Sequence, residues 1–503
     1  MALSSTARNR RTKLSTLELT IVWALAGAGS LVVLLIAFDW ESGPSQLALL
    51  ITTVCAMGLV VARNAIVRND VLRLSTTIPL AWFMFLFPNS LMLVDHFRVT
   101  YIYYFKVLNH TLPIYADDAT YALGIVALGS VCYAAGAIWA EKGPGHAEAD
   151  VASGWFDDKQ FRHETAVPLA LGFLTLYVLM LLALAGGLPQ MLNLITDPVA
   201  RDGLQSTSLT AILVCLFFGF LITVALRFAN HLGRGIAAFQ PSSLLLFTIA
   251  AAMALPLASR GYVFSVVLYP ILIFHYLKRR VSVGTVVLSS LTLPVIATLL
   301  RLLRIGAASV DGFSFTDSVG AFFSESNMVS MLSAACGALQ RGQIGYANGL
   351  DFILFFTWFV PRALWPGKYL PLDYRLTLQL GISDNGRAYG SPVTIFGGLF
   401  LNLTLAGMAI MMFWIGTAVV RQDRSLRLSQ PRSLLWRVIL FAFLVDLTRV
   451  GDVSRELTVL FIQWMMFSLI AAALNLPQVE NRLSEEPPDQ DGLPAEDLAG
   501  SSL

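Results

Sequence analysis

Apolar residues in this chain come in long blocks, with neither the two-residue alternation of a half-buried strand nor the narrow stripe of a surface helix. A hydrocarbon layer about 30 Å thick takes roughly 20 apolar residues to cross as a helix, because no backbone polar group can stay unpaired in lipid. Twelve runs of that kind lie near residues 19–38, 47–62, 75–94, 119–140, 166–186, 208–226, 243–258, 262–277, 281–300, 392–420, 435–448 and 457–475. The pattern predicts an all-α polytopic membrane protein of about twelve transmembrane helices with one long loop. Residues 1–300 hold nine spans with short connections, 301–391 form the loop, 392–476 hold three spans, and 477–503 form a tail. The tail, with Glu485, Glu486, Pro487, Pro488 and Asp489, reads as a disordered acidic cytoplasmic end.

Charge gives this frame a direction. Lys and Arg in short loops stay cytoplasmic, and twenty of them fall in alternate connections while six fall in the others. Both termini are therefore expected in the cytoplasm and the 301–391 loop on the outer face. The first run is too long for a signal-peptide core and reads as a retained anchor. Charged residues are 13% of the chain, half of the roughly 25% usual in soluble proteins, which excludes a large soluble enzyme. A net charge of +2 is too balanced for general nucleic-acid binding. Cys55, Cys132, Cys215 and Cys336 stand singly, so neither a zinc site nor a disulfide framework is signalled.

Candidate chemistry gathers on the outer face, where arginine dominates: Arg98, Arg201, Arg260, Arg341, Arg362, Arg375, Arg449 and Arg455 are among eleven, against Lys106 and Lys368. Arginine's fork suits bidentate pairing with phosphate or carboxylate and keeps its charge when buried. Pairing with nearby carboxylates such as Asp202 or Asp373 is the structural alternative. Arg260 sits in a hairpin of almost no length between two apolar spans, where a charge is costly, and points to lipid pyrophosphate binding or to snorkelling. Arg201, ahead of the sixth span, reaches the same side or pairs with Asp202.

No phosphate-binding glycine loop, HExxH or histidine pair is present, and none of the six histidines falls in the long loop. The loop carboxylates are Asp311, Asp317, Glu325, Asp351, Asp373 and Asp384. Glu325, beside Phe322 and Phe323, is the candidate base, with a helix-capping or solvated acid as the alternative. The aromatic stretch from Phe352 to Val360 is too short to span and suits the membrane interface or a re-entrant segment. Charged residues are expected to collect at one face of the membrane, and no internal repeat is evident, both of which disfavour a transporter.

Three stretches resemble the O-antigen polymerase family, the Wzy-type oligosaccharide repeat-unit polymerases. Pro361-Arg362-Ala363-Leu364-Trp365-Pro366-Gly367-Lys368 is similar to that family's IPR-x-x-WP-x-K pattern. Gly397 to Gly407 resembles GE-x-Y-x-NFG-x-x-G, matching at Gly397, Asn402 and Gly407 but departing at Gly398, often Glu there, and at Thr404, where the pattern has Gly. Ser259-Arg260-Gly261 resembles the SRG found before a middle span, and Arg375 with Gly386 fits an Arg-x10-Gly spacing.

The resemblance implies a bacterial inner-membrane glycosyltransferase of GT-C-like architecture. It would transfer a growing glycan from undecaprenyl pyrophosphate to a new lipid-linked repeat unit at the periplasmic face. Arg260 and Glu325 would be catalytic; Arg201, Arg362, Arg375, Trp365, Lys368 and Asn402 would bind substrate. No cofactor or metal is implied, and the partners are undecaprenyl-pyrophosphate-linked oligosaccharides, membrane lipids and a chain-length regulator. An O-antigen ligase, expected to use a loop histidine, and a polysaccharide transporter or flippase are the competing readings.

Overall fold

The structure is a computed structural model that describes residues 42–68, 70–94, 104–105, 110–111, 115–141, 165–191, 210–235, 240–257, 260–281, 285, 328–357, 360, 364–365, 367–384, 387–388, 392–426 and 431–476. Its helices are α1 (Ser42–Arg68), α2 (Leu74–Ala81), α3 (Phe87–Met92), α4 (Ala116–Ala140), α5 (Ala166–Ala185), α6 (Thr210–Gly233) and α7 (Pro241–Ala254). They continue as α8 (Arg260–Leu277), α9 (Met328–Gln340), α10 (Leu350–Thr357), α11 (Leu372–Gln379), α12 (Thr394–Ser425), α13 (Pro431–Val450) and α14 (Val453–Ala473). Two antiparallel hairpins of two-residue strands, Tyr104–Phe105 with His110–Thr111 and Ser383–Asp384 with Arg387–Ala388, are minor departures from an all-α chain.

Among the described residues six helices, α1, α4, α5, α6, α12 and α14, are long and apolar enough to cross a membrane. Shorter apolar helices stand beside them at α7, α8 and α9. The chain is a multi-pass helical membrane protein. The runs near 19–38 and 281–300 lie outside the described residues, as does the tail. α13 follows the run near 435–448 but carries Arg432, Arg437, Asp446 and Arg449, so apolar composition alone does not mark it as a span.

α4 is the centre of the packing. Asp117 and Asp118 stand in its first turn, where carboxylates suit the positive end of the helix dipole, and small residues on its remaining faces let neighbours approach. α12 lies along it so closely that a Cβ on Gly136 would strike the Phe413 carbonyl and one on Gly416 the Tyr133 carbonyl. Thr417 Oγ1 bonds the Gly136 carbonyl at 3.3 Å across this seam. Proline interrupts the third run: Pro79 has no N–H for the carbonyl four residues back, and that carbonyl, of Ser75, instead accepts the Tyr133 hydroxyl at 2.8 Å. A π-helical turn, Trp82–Leu86, then joins α2 to α3.

Buried charge collects at both ends of the bundle, which corrects the expectation of a single charged face. At one end Arg73 and Arg437 both hold Asp423, Arg63 pairs with Glu141, and His275 bonds Asp70 at 2.8 Å. Burial works against ionisation of Asp70, but His275, Arg73 and Arg280 outweigh it and hold the carboxyl below its usual range. At the other end lie Asp118 with Arg341, Asp351 with Arg375 and Asp446 with Arg449. The physical reason is symmetrical: each charge layer terminates helices whose middles are apolar.

Candidate active site

The site grows from a fault in α12. Thr404 has φ 65 and ψ −179, a conformation natural to glycine, and it breaks the helical ladder. The break frees carbonyls one turn earlier, and the loop after α9 uses them: Ala347 N–H donates to Leu401 O at 2.7 Å and Gly349 N–H to Asn402 O at 2.9 Å. Asn348 (φ 51) and Gly349 (φ 78) turn the chain so that α10 begins on top of α12. Asp351, in the first turn of α10, is thereby fully buried against Asn402.

Asn402 and Arg375 both end on Asp351. Asn402 Nδ2 donates to Asp351 Oδ2 at 2.7 Å and to the Gly398 carbonyl at 2.8 Å, while its Oδ1 accepts Asp351 N–H at 3.4 Å. Arg375 donates one guanidinium nitrogen to Asp351 Oδ1 at 2.9 Å, and its Nε has no hydrogen-bond partner among the described residues. Burial raises the Asp351 pKa and Asp452 adds to the rise, whereas Asn402 and Arg375 oppose it.

A pair of carboxyls lies beside this group. Asp452 caps α14, accepting Arg455 N–H at 3.1 Å and the Ser454 hydroxyl at 2.8 Å. Asp373, in the first turn of α11, is buried next to it, and burial together with the Asp452 charge pushes Asp373 up to about 8. Burial and the Asp452 charge both favour the protonated form of Asp373, whose proton then faces Asp452. Asp446, bonded by Arg449 Nε at 3.0 Å, extends the cluster toward α8, where a Cβ on Gly261 would strike the Asp446 carboxylate.

Of the residues proposed from sequence, the structure brings together Arg375 and Asn402. Lys368 Nζ donates to the Thr357 carbonyl at 2.7 Å and to Val360 at 3.2 Å, so it caps the end of α10. Trp365 is exposed on the same loop. Arg260 opens α8 next to Gly261, but its side chain lies outside the described residues, as do Glu325, Arg201 and Arg362 entirely. Sequence reasoning passed over Asp351, Asp373 and Asp452 as site residues. The signal was present as a charge-dense turn, Asp446 to Glu456, set between two apolar runs where ionised side chains are expensive.

Gly398 explains one departure from the polymerase pattern. A Cβ there would collide with the Gly451 carbonyl, and Gly451 itself has φ 73 and faces the Thr394 carbonyl, so α12 meets the α13–α14 turn backbone to backbone. No glutamate fits at 398. No family model, curated protein or solved structure matches the chain.

Proposed function

We propose that the protein is a polysaccharide polymerase of a bacterial inner membrane. It transfers a growing glycan from undecaprenyl pyrophosphate to a new lipid-linked repeat unit. The observation that carries this reading is the meeting of Arg375 and Asn402, two residues from separate polymerase-like stretches, on the buried carboxylate of Asp351. Both termini are cytoplasmic in this reading and the 301–391 loop is periplasmic.

The chemistry assigned to the site needs a base and a cation. The acceptor hydroxyl gives its proton to Asp351 as its oxygen bonds the anomeric carbon of the donor sugar. The bond from that carbon to the pyrophosphate oxygen breaks, and undecaprenyl pyrophosphate departs with the electron pair. Arg375, whose side chain is partly exposed, receives the negative charge that develops there, and Arg260 at the head of α8 is assigned as the second phosphate ligand. Asp351 joins Glu325, which lies outside the described residues, as a candidate base: two donors orient it and burial raises its pKa.

The test is elongation by purified protein supplied with lipid-linked repeat units, in excess EDTA and without nucleotides. Wild type is expected to make longer glycans, and Asp351→Asn to be slower by about a hundredfold or more at equal membrane abundance. Glycan attached only to lipid A core establishes the ligase instead, and movement of the unit between leaflets without elongation establishes the transporter.

A further inference from the structure

The exposed loop that leads into α10, with the residue before α4, has the composition of a saccharide platform. Tyr115, which precedes α4, and Tyr346, in the loop after α9, expose 54% and 37% of their surface. Each ring has one side-chain partner that orients it. The Arg341 guanidinium lies 5.3 Å from the Tyr115 ring centroid and is itself held by Asp118 at 3.2 Å. Tyr346 stands edge-on to buried Phe400 with centroids 5.6 Å apart, and Phe400 in turn meets Tyr121 at 5.9 Å. Gly337 makes the arrangement possible, since a Cβ there would strike the Asp118 carboxylate and sit 2.7 Å from Arg341.

Gln343 and Asn348 are also exposed on this loop, so planar amides and a guanidinium alternate with open aromatic faces. Pyranose rings present apolar C–H faces and equatorial hydroxyls, and that mixture is what such a surface recognises: ring faces stack, amides and guanidinium bond hydroxyls. The loop is pinned to α12 through Ala347 and Gly349, four and two residues ahead of Asp351, so the platform and the carboxylate are held by one anchor.

We propose that Tyr115, Tyr346 and Arg341, with Gln343 and Asn348, form a glycan-binding subsite that holds the acceptor's sugars while its terminal hydroxyl reaches Asp351. This inference rests on the polymerase reading for its role, though not for the binding itself.

Binding and turnover separate the two. Full-length protein in lipid nanodiscs is given repeat units freed from lipid by mild acid, with contact read by saturation-transfer NMR, and intact lipid-linked units, with elongation read by gel. Tyr115→Ala and Tyr346→Ala are expected to weaken binding of the freed units about tenfold and to raise the acceptor KM with little change in kcat. Tyr115→Phe and Tyr346→Phe, which keep the stacking face, are expected to bind as wild type does. Thermal melting of each variant checks that it folds. Alanine variants that bind and elongate as wild type does overturn the subsite while leaving the polymerase reading intact. Tyrosine-dependent binding by a wild type that never elongates leaves the subsite and overturns the polymerase.

Discussion

Asp373 is a carboxylic acid whose setting fixes when it ionises. In the unfolded chain it titrates near about 4, whereas in the folded protein burial and the neighbouring Asp452 push it up to about 8. Between those values the folded state holds a proton that the unfolded state has lost. The sign follows: stability is fully present below the unfolded value and is lost as pH rises toward about 8, by up to about 1.4 kcal/mol per pH unit. Melting of the detergent-solubilised protein is therefore expected to fall between pH 5 and 8 by more in wild type than in Asp373→Asn, whose amide keeps a donor toward Asp452 at every pH. Equal slopes in the two proteins would remove the shared proton from the account. Asp373 was visible in the sequence as one loop carboxylate among six and as a partner for a nearby arginine. What distinguishes it is a partner 79 positions away in the chain, and no local pattern carries that information.

At the scale of elements, the α4–α12 seam is decided by two glycines. Gly136 and Gly416 are each opposed by a backbone carbonyl of the other helix, so a side chain at either has nowhere to go without parting the helices. Gly416→Val is expected to destabilise the protein by more than about 2 kcal/mol, seen as lost membrane abundance and a lower melting temperature. Gly172, with open space around it, should tolerate alanine. Helix positions were legible, because an apolar block between charged ends has few other ways to satisfy its backbone. The run near 166–186 became α5 (Ala166–Ala185), and that near 119–140 became α4. Interruptions were not. The π turn after Pro79 and the break at Thr404 are settled by tertiary partners, Tyr133 in the first case and the 347–349 loop in the second.

For the whole molecule, the two charge layers match the alternation of basic segments along the chain. Arg63, Arg73, Arg424 and Arg437, all assigned from sequence to one side, fall at one end of the bundle, and Asp118, Asp351 and Asp446 fall at the other. If that first end is cytoplasmic, reporter fusions after Lys13 and Gln478 will report the cytoplasm and one after Gly349 the periplasm. A periplasmic signal at the C-terminus would reject the orientation. The sequence pattern carried Arg375 and Asn402 to the site, since each belongs to a short motif. It did not single out Asp351 among the six loop carboxylates, because that residue only precedes an aromatic stretch read as interfacial or re-entrant.

The pinning of the 341–349 loop to α12 has a consequence in time. Its glycines and exposed polar residues describe a segment whose amides should trade hydrogen for deuterium within moments of meeting heavy water. Two of them are tied to carbonyls of a membrane helix, Ala347 to Leu401 and Gly349 to Asn402. Those two amides can exchange only when α12 lets go of the loop, so they share the slow clock of the bundle, as Arg341 to Ile344, bonded back to α9, share that of its last turn. A loop that composition marks as pliant is, at Ala347 and Gly349, tied to the helix beneath it.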